Sequence, residues 1–153
     1  MEPSIQRFMD ATVRELRIVT GILVAPGIPE KKIRNAISKN GYAGSSPILG
    51  LIDCTLFGSA REHVMFTTSG IYWNQMGANS GHVTYADLLR TTVKSGGVFA
   101  PYSVTTGLGH IISINGSKIA RRDFLNLLIQ IKNLYGSMIP QQTGSAIPTA
   151  VTP

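Results

Sequence analysis

From Leu49 to Tyr85 the apolar residues come in short runs of β-formers, each ended by a turn bearing glycine or serine. Leu49 to Thr55 reads as a buried strand, and Phe57-Gly58-Ser59 turns the chain. His63 to Thr67 reads as a second strand, Thr68-Ser69-Gly70 as a tight hairpin connection, and Ile71-Tyr72-Trp73 as a third strand. After a polar loop from Met76 to Gly81, His82 to Tyr85 alternates as a fourth, and Ala86 to Leu89 follows as a helical turn. Chain broken this often favours short antiparallel strands over a helical bundle at the centre.

The flanks have a different period. Ile5, Phe8, Met9, Val13, Leu16 and Val19 recur at spacings of three and four, which predicts an amphipathic helix capped by Ser4 and closed by Gly21. A short apolar stretch, Ile22 to Ala25, leads to the turn Pro26-Gly27. Pro29 and Glu30 then open a second helix with Ile33, Ala36 and Ile37 on its apolar face, ended by Asn40-Gly41. Val98 to Val104 and His110 to Ile114 are further strand candidates, and Asn115-Gly116 predicts a hairpin turn with Lys118-Ile119-Ala120 returning. A last helix over roughly 122–136 presents Phe124, Leu125, Leu127, Leu128, Ile131 and Leu134 to the core, with Asn126, Gln130 and Lys132 outward. Gly136 and Pro140 are expected to stop it.

The expected fold is therefore α+β: an antiparallel sheet curling into a barrel around its core, capped by the C-terminal helix and preceded by two N-terminal helices. We divide the chain into a helical extension over 1–41, a sheet domain over 42–138 and a flexible, uncharged tail over 139–153.

At 153 residues, 43% of them apolar, the chain can build one real core. Its single cysteine excludes an internal disulfide framework, the N-terminus lacks the pattern of a signal peptide, and no apolar run nears the length of a membrane span. A cytoplasmic location is expected. The net charge of +6 is uneven, with six basic residues from Arg90 onward set against Asp123 alone. Such an excess attracts an acidic protein, an anionic lipid surface or nucleic acid. No tight Lys/Arg block interleaved with aromatics appears, which argues against nucleic acid.

Catalysis would need a nucleophile, a base and an orienting group. Cys54 lies between apolar neighbours, where an inert buried thiol is expected. His63, His82 and His110 are isolated from one another and from any metal-ligand spacing, so no metal is expected. Asp53 and Asp87 suit turn caps. Gly96-Gly97 and Gly107-Leu108-Gly109 lack the spacing of phosphate loops, and no cofactor is expected. The candidate binding residues are Tyr72 and Trp73, one of which must face out from a strand, and the cationic cluster Lys118, Arg121 and Arg122.

The run from Leu51 to Ser59, Leu-Ile-Asp-Cys-Thr-Leu-Phe-Gly-Ser, with the Met65–Trp73 run Met-Phe-Thr-Thr-Ser-Gly-Ile-Tyr-Trp, resembles bacterial pleckstrin-homology-like domains. Tyr85-Ala86-Asp87-Leu88 and the Phe-Leu start of the last helix fit the same pattern, so the resemblance covers about residues 48–135. Where that family often has an acidic residue, this chain has Cys54. The resemblance implies a ligand-binding or protein-binding scaffold with no common substrate. The expected role is a non-catalytic module for protein–protein interaction, and the apolar face of the first helix is expected to cover its own chain or dock on a second copy. The alternatives are a secretion-associated chaperone or toxin-neutralising immunity protein, and a binder of anionic lipid or phosphoinositide.

Overall fold

The computed structural model describes residues 2–40, 42, 44, 46–75 and 79–140. The elements follow the order α1 (Pro3–Ile18), β1 (Leu23–Val24), α2 (Glu30–Asn40), β2 (Ile48–Asp53), β3 (His63–Thr67), β4 (Gly70–Gln75), β5 (Asn79–Thr84), α3 (Tyr85–Leu89), β6 (Val93–Ser95), β7 (Ser103–Thr106), β8 (Ile111–Ser113) and α4 (Arg121–Met138). The class is α+β with antiparallel pairing, as expected, but no barrel closes. Strands β1 to β5 form one sheet in sequence order, and β6 to β8 form a separate three-stranded sheet. Among the described residues no helix is long and apolar enough to cross a membrane.

Each face of the larger sheet has its own cover. On one, Ile52, Val64, Phe66, Ile71, Trp73 and Val83 join Phe8 and Leu16 of α1, Val104 and Ile112 of the smaller sheet, and Phe124, Leu128 and Ile131 of α4 in one buried cluster. On the other, Leu51 and Met65 meet Ile28 and Ala36 beneath α2. Every residue of β3 is buried as a result, which is why this strand lacks an apolar–polar alternation. Both N-terminal helices thus cover the sheet of their own chain. Phe8 sets its ring edge-on to Tyr85 and Tyr135, so the first helix shares a core with the third and fourth.

Several local expectations fail for identifiable reasons. Glu2, not Ser4, precedes α1 with Pro3 opening it; Ser4 lies on the buried face, its hydroxyl without a hydrogen-bond partner among the described residues. The helix ends at Ile18, before Gly21. Asn79 to Gly81 belong to β5 rather than a loop, while 76–78 lie outside the described residues. Val98 to Val104 is no single strand: the chain turns through 98–102, and β7 starts at Ser103. Asn115-Gly116 turns the chain, with Gly116 at φ 89°, but no strand returns; Lys118 to Ala120 lead straight into α4. Gly136 sits inside that helix, and Lys132 is half-buried, its Nζ donating to the Thr91 carbonyl. Of the expected tail over 139–153, Ile139 packs partly buried against the core, and 141–153 lie outside the described residues.

Candidate binding surface

Asp53, at the end of β2, organises the 54–60 turn. Its Oδ1 accepts from the backbone N–H of Thr55 at 2.9 Å, the Thr55 hydroxyl at 2.5 Å and the Ala60 N–H at 3.2 Å, while Oδ2 accepts from Lys32 Nζ of α2 at 2.9 Å. Burial alone would raise the Asp53 pKa, but the hydrogen bonds from Thr55 and Lys32 outweigh it and hold the carboxyl below its ordinary range. Asn35 of α2 adds a hydrogen bond to the Ser59 carbonyl at 2.8 Å. His63 closes the base: its Nδ1 bonds the Ala60 carbonyl at 2.9 Å and its Nε2 meets Asn40 Nδ2 at 2.9 Å. Since the carbonyl only accepts, Nδ1 carries the proton and Nε2 accepts from the amide. Ala60 is held at φ 61°, a conformation that such a network must enforce in a residue with a Cβ. Above this base, Leu56 and Phe57 are 86% and 94% exposed.

The second turn is built differently. Gly96 N–H donates to Ser103 at 2.7 Å, and Ala100 N–H donates to Gly97 at 2.9 Å. Arg121, in the first turn of α4, donates to the carbonyls of Gly96 at 2.8 Å and Ala100 at 3.3 Å. At its tip Val98 and Phe99 are 89% and 102% exposed.

One segment joins the two turns. Ile114 N–H donates to the Tyr102 carbonyl at 2.8 Å, and Gly116 follows so close to β2 that a methyl there would lie 2.2 Å from the Cys54 carbonyl oxygen. Lys118 reaches a cleft of about 600 Å³ shared with Lys32, Asp53, Leu56 and Gly58. Lys31 lies beside Phe57 in a neighbouring depression. Lys118, Arg122, Arg61 and Lys94 are exposed around the turns, with Asp123 exposed among them.

The anticipated cationic trio is thus brought together at the start of α4, although Arg121 is a positioning residue for the 96–100 turn. Tyr72 and Trp73 point to opposite faces of the sheet. Trp73 is buried, its ring edge-on to His110 with centroids 5.3 Å apart. Half-buried Tyr72 stacks on His82 and meets Tyr42 edge-on. Neither lines the clefts near Lys118. Cys54 is buried, and burial pushes its thiol up to about 12. Asp53 caps its turn as expected, whereas at Asp87 the cap is the Thr84 hydroxyl, which accepts from the Asp87 N–H. Leu56, Phe57, Val98 and Phe99 were not anticipated; the available signal was a bulky apolar pair in each turn, one followed by Gly58-Ser59 and the other set between Gly97 and Ala100-Pro101. Among the described residues no group of three or more His, Cys, Asp or Glu could hold a metal ion. No family model, curated protein or solved structure matches the chain.

Proposed function

We propose that the chain is a non-catalytic binding module of the pleckstrin-homology-like type. It docks on an acidic protein partner through the end bearing Leu56, Phe57, Val98 and Phe99. The observation that carries this reading is that four large apolar side chains stand 86–102% exposed on two turns whose bases are fastened by hydrogen bonds. Burying each such side chain against a partner is worth about 1.5–3 kcal/mol, and a braced turn loses little entropy in delivering it. The exposed cations around the tips, Lys31, Arg61, Lys94, Lys118 and Arg122, outnumber the carboxylates beside them, Glu30, Glu62 and Asp123, and favour an acidic surface. For the family reading, support comes from the segments that carry the resemblance: β2, the β3–β4 hairpin, α3 and α4 are contiguous around one core.

A photo-reactive amino acid placed at position 57 or 99 tests the proposal in cells that make the protein. Both positions should crosslink to the same acidic protein, and Ile129, exposed on α4, should not. Different partners for 57 and 99, or crosslinking equally strong from 129, would overturn it.

The same paired tips and cations favour an anionic membrane surface as a second reading, because apolar side chains can enter the headgroup layer while cations meet its charge. In that case wild-type protein sediments with vesicles containing phosphatidylserine, and Phe57→Ser with Phe99→Ser stays in the supernatant.

A further inference from the structure

We propose that the open edge of β5, with the groove beside it, is a separate binding site that takes an extended, largely apolar peptide of a partner protein as an added strand. Among the described residues β5 pairs with β4 alone. Its register places Gly70 opposite Thr84, and so Ser69 opposite Tyr85, and the Tyr85 N–H donates to the Ser69 carbonyl at 3.3 Å. Bonded and non-bonded pairs alternate along an antiparallel ladder. The bonded pairs are therefore Ile71 with Val83 and Trp73 with Gly81, which turns the backbone N–H and C=O of Ser80 and His82 toward the open side.

Edge strands usually carry devices against such pairing, above all lysine and proline. β5 runs Asn-Ser-Gly-His-Val-Thr and holds neither, nor any carboxylate. Beside it lies a groove of about 650 Å³, walled on the far side by His110 and Ile111 at the start of β8. Gly81 gives the groove its floor: a methyl there would lie 2.9 Å from the Trp73 ring, so the missing side chain lets the indole lie across the strand. A row of outward backbone N–H and C=O groups is matched in spacing by another extended backbone, and side chains at alternate positions of that strand would lie over Gly81 and against His110. Among the described residues no carboxylate, lysine or arginine lines the groove, so the ligand it suits is apolar at those positions, unlike the acidic surface favoured by the loop end.

The full chain, panned against a displayed library of random peptides, tests this. Selected peptides should share apolar residues at alternate positions and slow amide hydrogen exchange at Ser80 and His82. Ser80→Pro removes one outward N–H at an edge position that tolerates proline and should weaken binding about ten-fold or more, while Ser80→Ala stays near the parent. Should the proline variant misfold, peptides N-methylated at the bonds facing β5 remove the same hydrogen bonds from the ligand side, and they too should bind about ten-fold more weakly. A library that yields no binder, protection confined to other strands, or affinity unchanged by N-methylation would overturn the proposal.

Discussion

His63 is fully buried between two neutral partners, giving its Nδ1 proton to the Ala60 carbonyl and accepting from Asn40 at Nε2. Burial depresses its pKa below the ordinary 6.5, against the opposing pull of the Ala60 carbonyl and Asp53. The unfolded chain therefore takes up a proton first as pH falls. The stability from neutral His63 is complete above about pH 6.5 and is lost progressively as the pH drops through the lower folded value. Asp53 is also depressed, so it adds loss in the same direction, starting near 3.8. Urea melts at pH 7.5 and pH 5.5 should show the parent weaker at the lower pH and His63→Gln nearly flat; equal slopes would remove His63 as the cause. Cys54, whose thiol is pushed up to about 12, should react with a thiol reagent only on the timescale of unfolding, and rapid native labelling would contradict this. Gly116 combines φ 89° with its approach to the Cys54 carbonyl. Gly116→Ala should accordingly cost about 2–4 kcal/mol in urea melts, strain and overpacking together, and a cost under about 1 kcal/mol would show that the turn relaxes.

Elements with clear turn signals at both ends or strong helical periodicity were legible. β3 occupies His63–Thr67 as expected, because five β-formers between turn signals leave little choice. The apolar face of α4 likewise places Phe124, Leu127, Leu128 and Ile131 in the core. Leu128→Ala there, and Phe8→Ala on α1, should cost about 2–5 and 3–5 kcal/mol; a loss below about 1 kcal/mol at Phe8 would mean that α1 merely lies on the surface. β6 was not legible, since Val93-Lys94-Ser95 is short and only its valine is buried. Val98 and Phe99 mislead by the same logic. They carry strand propensity, yet Gly97 and Pro101 frame a turn that carries both into solvent. At Asn115-Gly116 the turn chemistry was right and the hairpin wrong, because Ser117 N–H bonds back to Ile114 and buried Ile119 leads the chain into α4.

Across the whole molecule, the apolar sides of the two N-terminal helices cover opposite faces of the larger sheet of their own chain. What stays uncovered is concentrated in loops, and it is there that the residue-level reading of the site fell short. Lys118, Arg121 and Arg122 could be picked out by charge alone. That Arg121 braces a turn, and that the turns lift Phe57 and Phe99 into solvent, depends on contacts between segments far apart in the chain. The most direct test of docking through this end is to titrate the protein crosslinked at positions 57 and 99 against the parent and against the Phe57→Ser, Phe99→Ser double variant. With both side chains wholly in solvent, the variant should keep the parent's urea midpoint and bind about ten-fold or more weakly. A folded double variant with the parent's affinity would contradict the account.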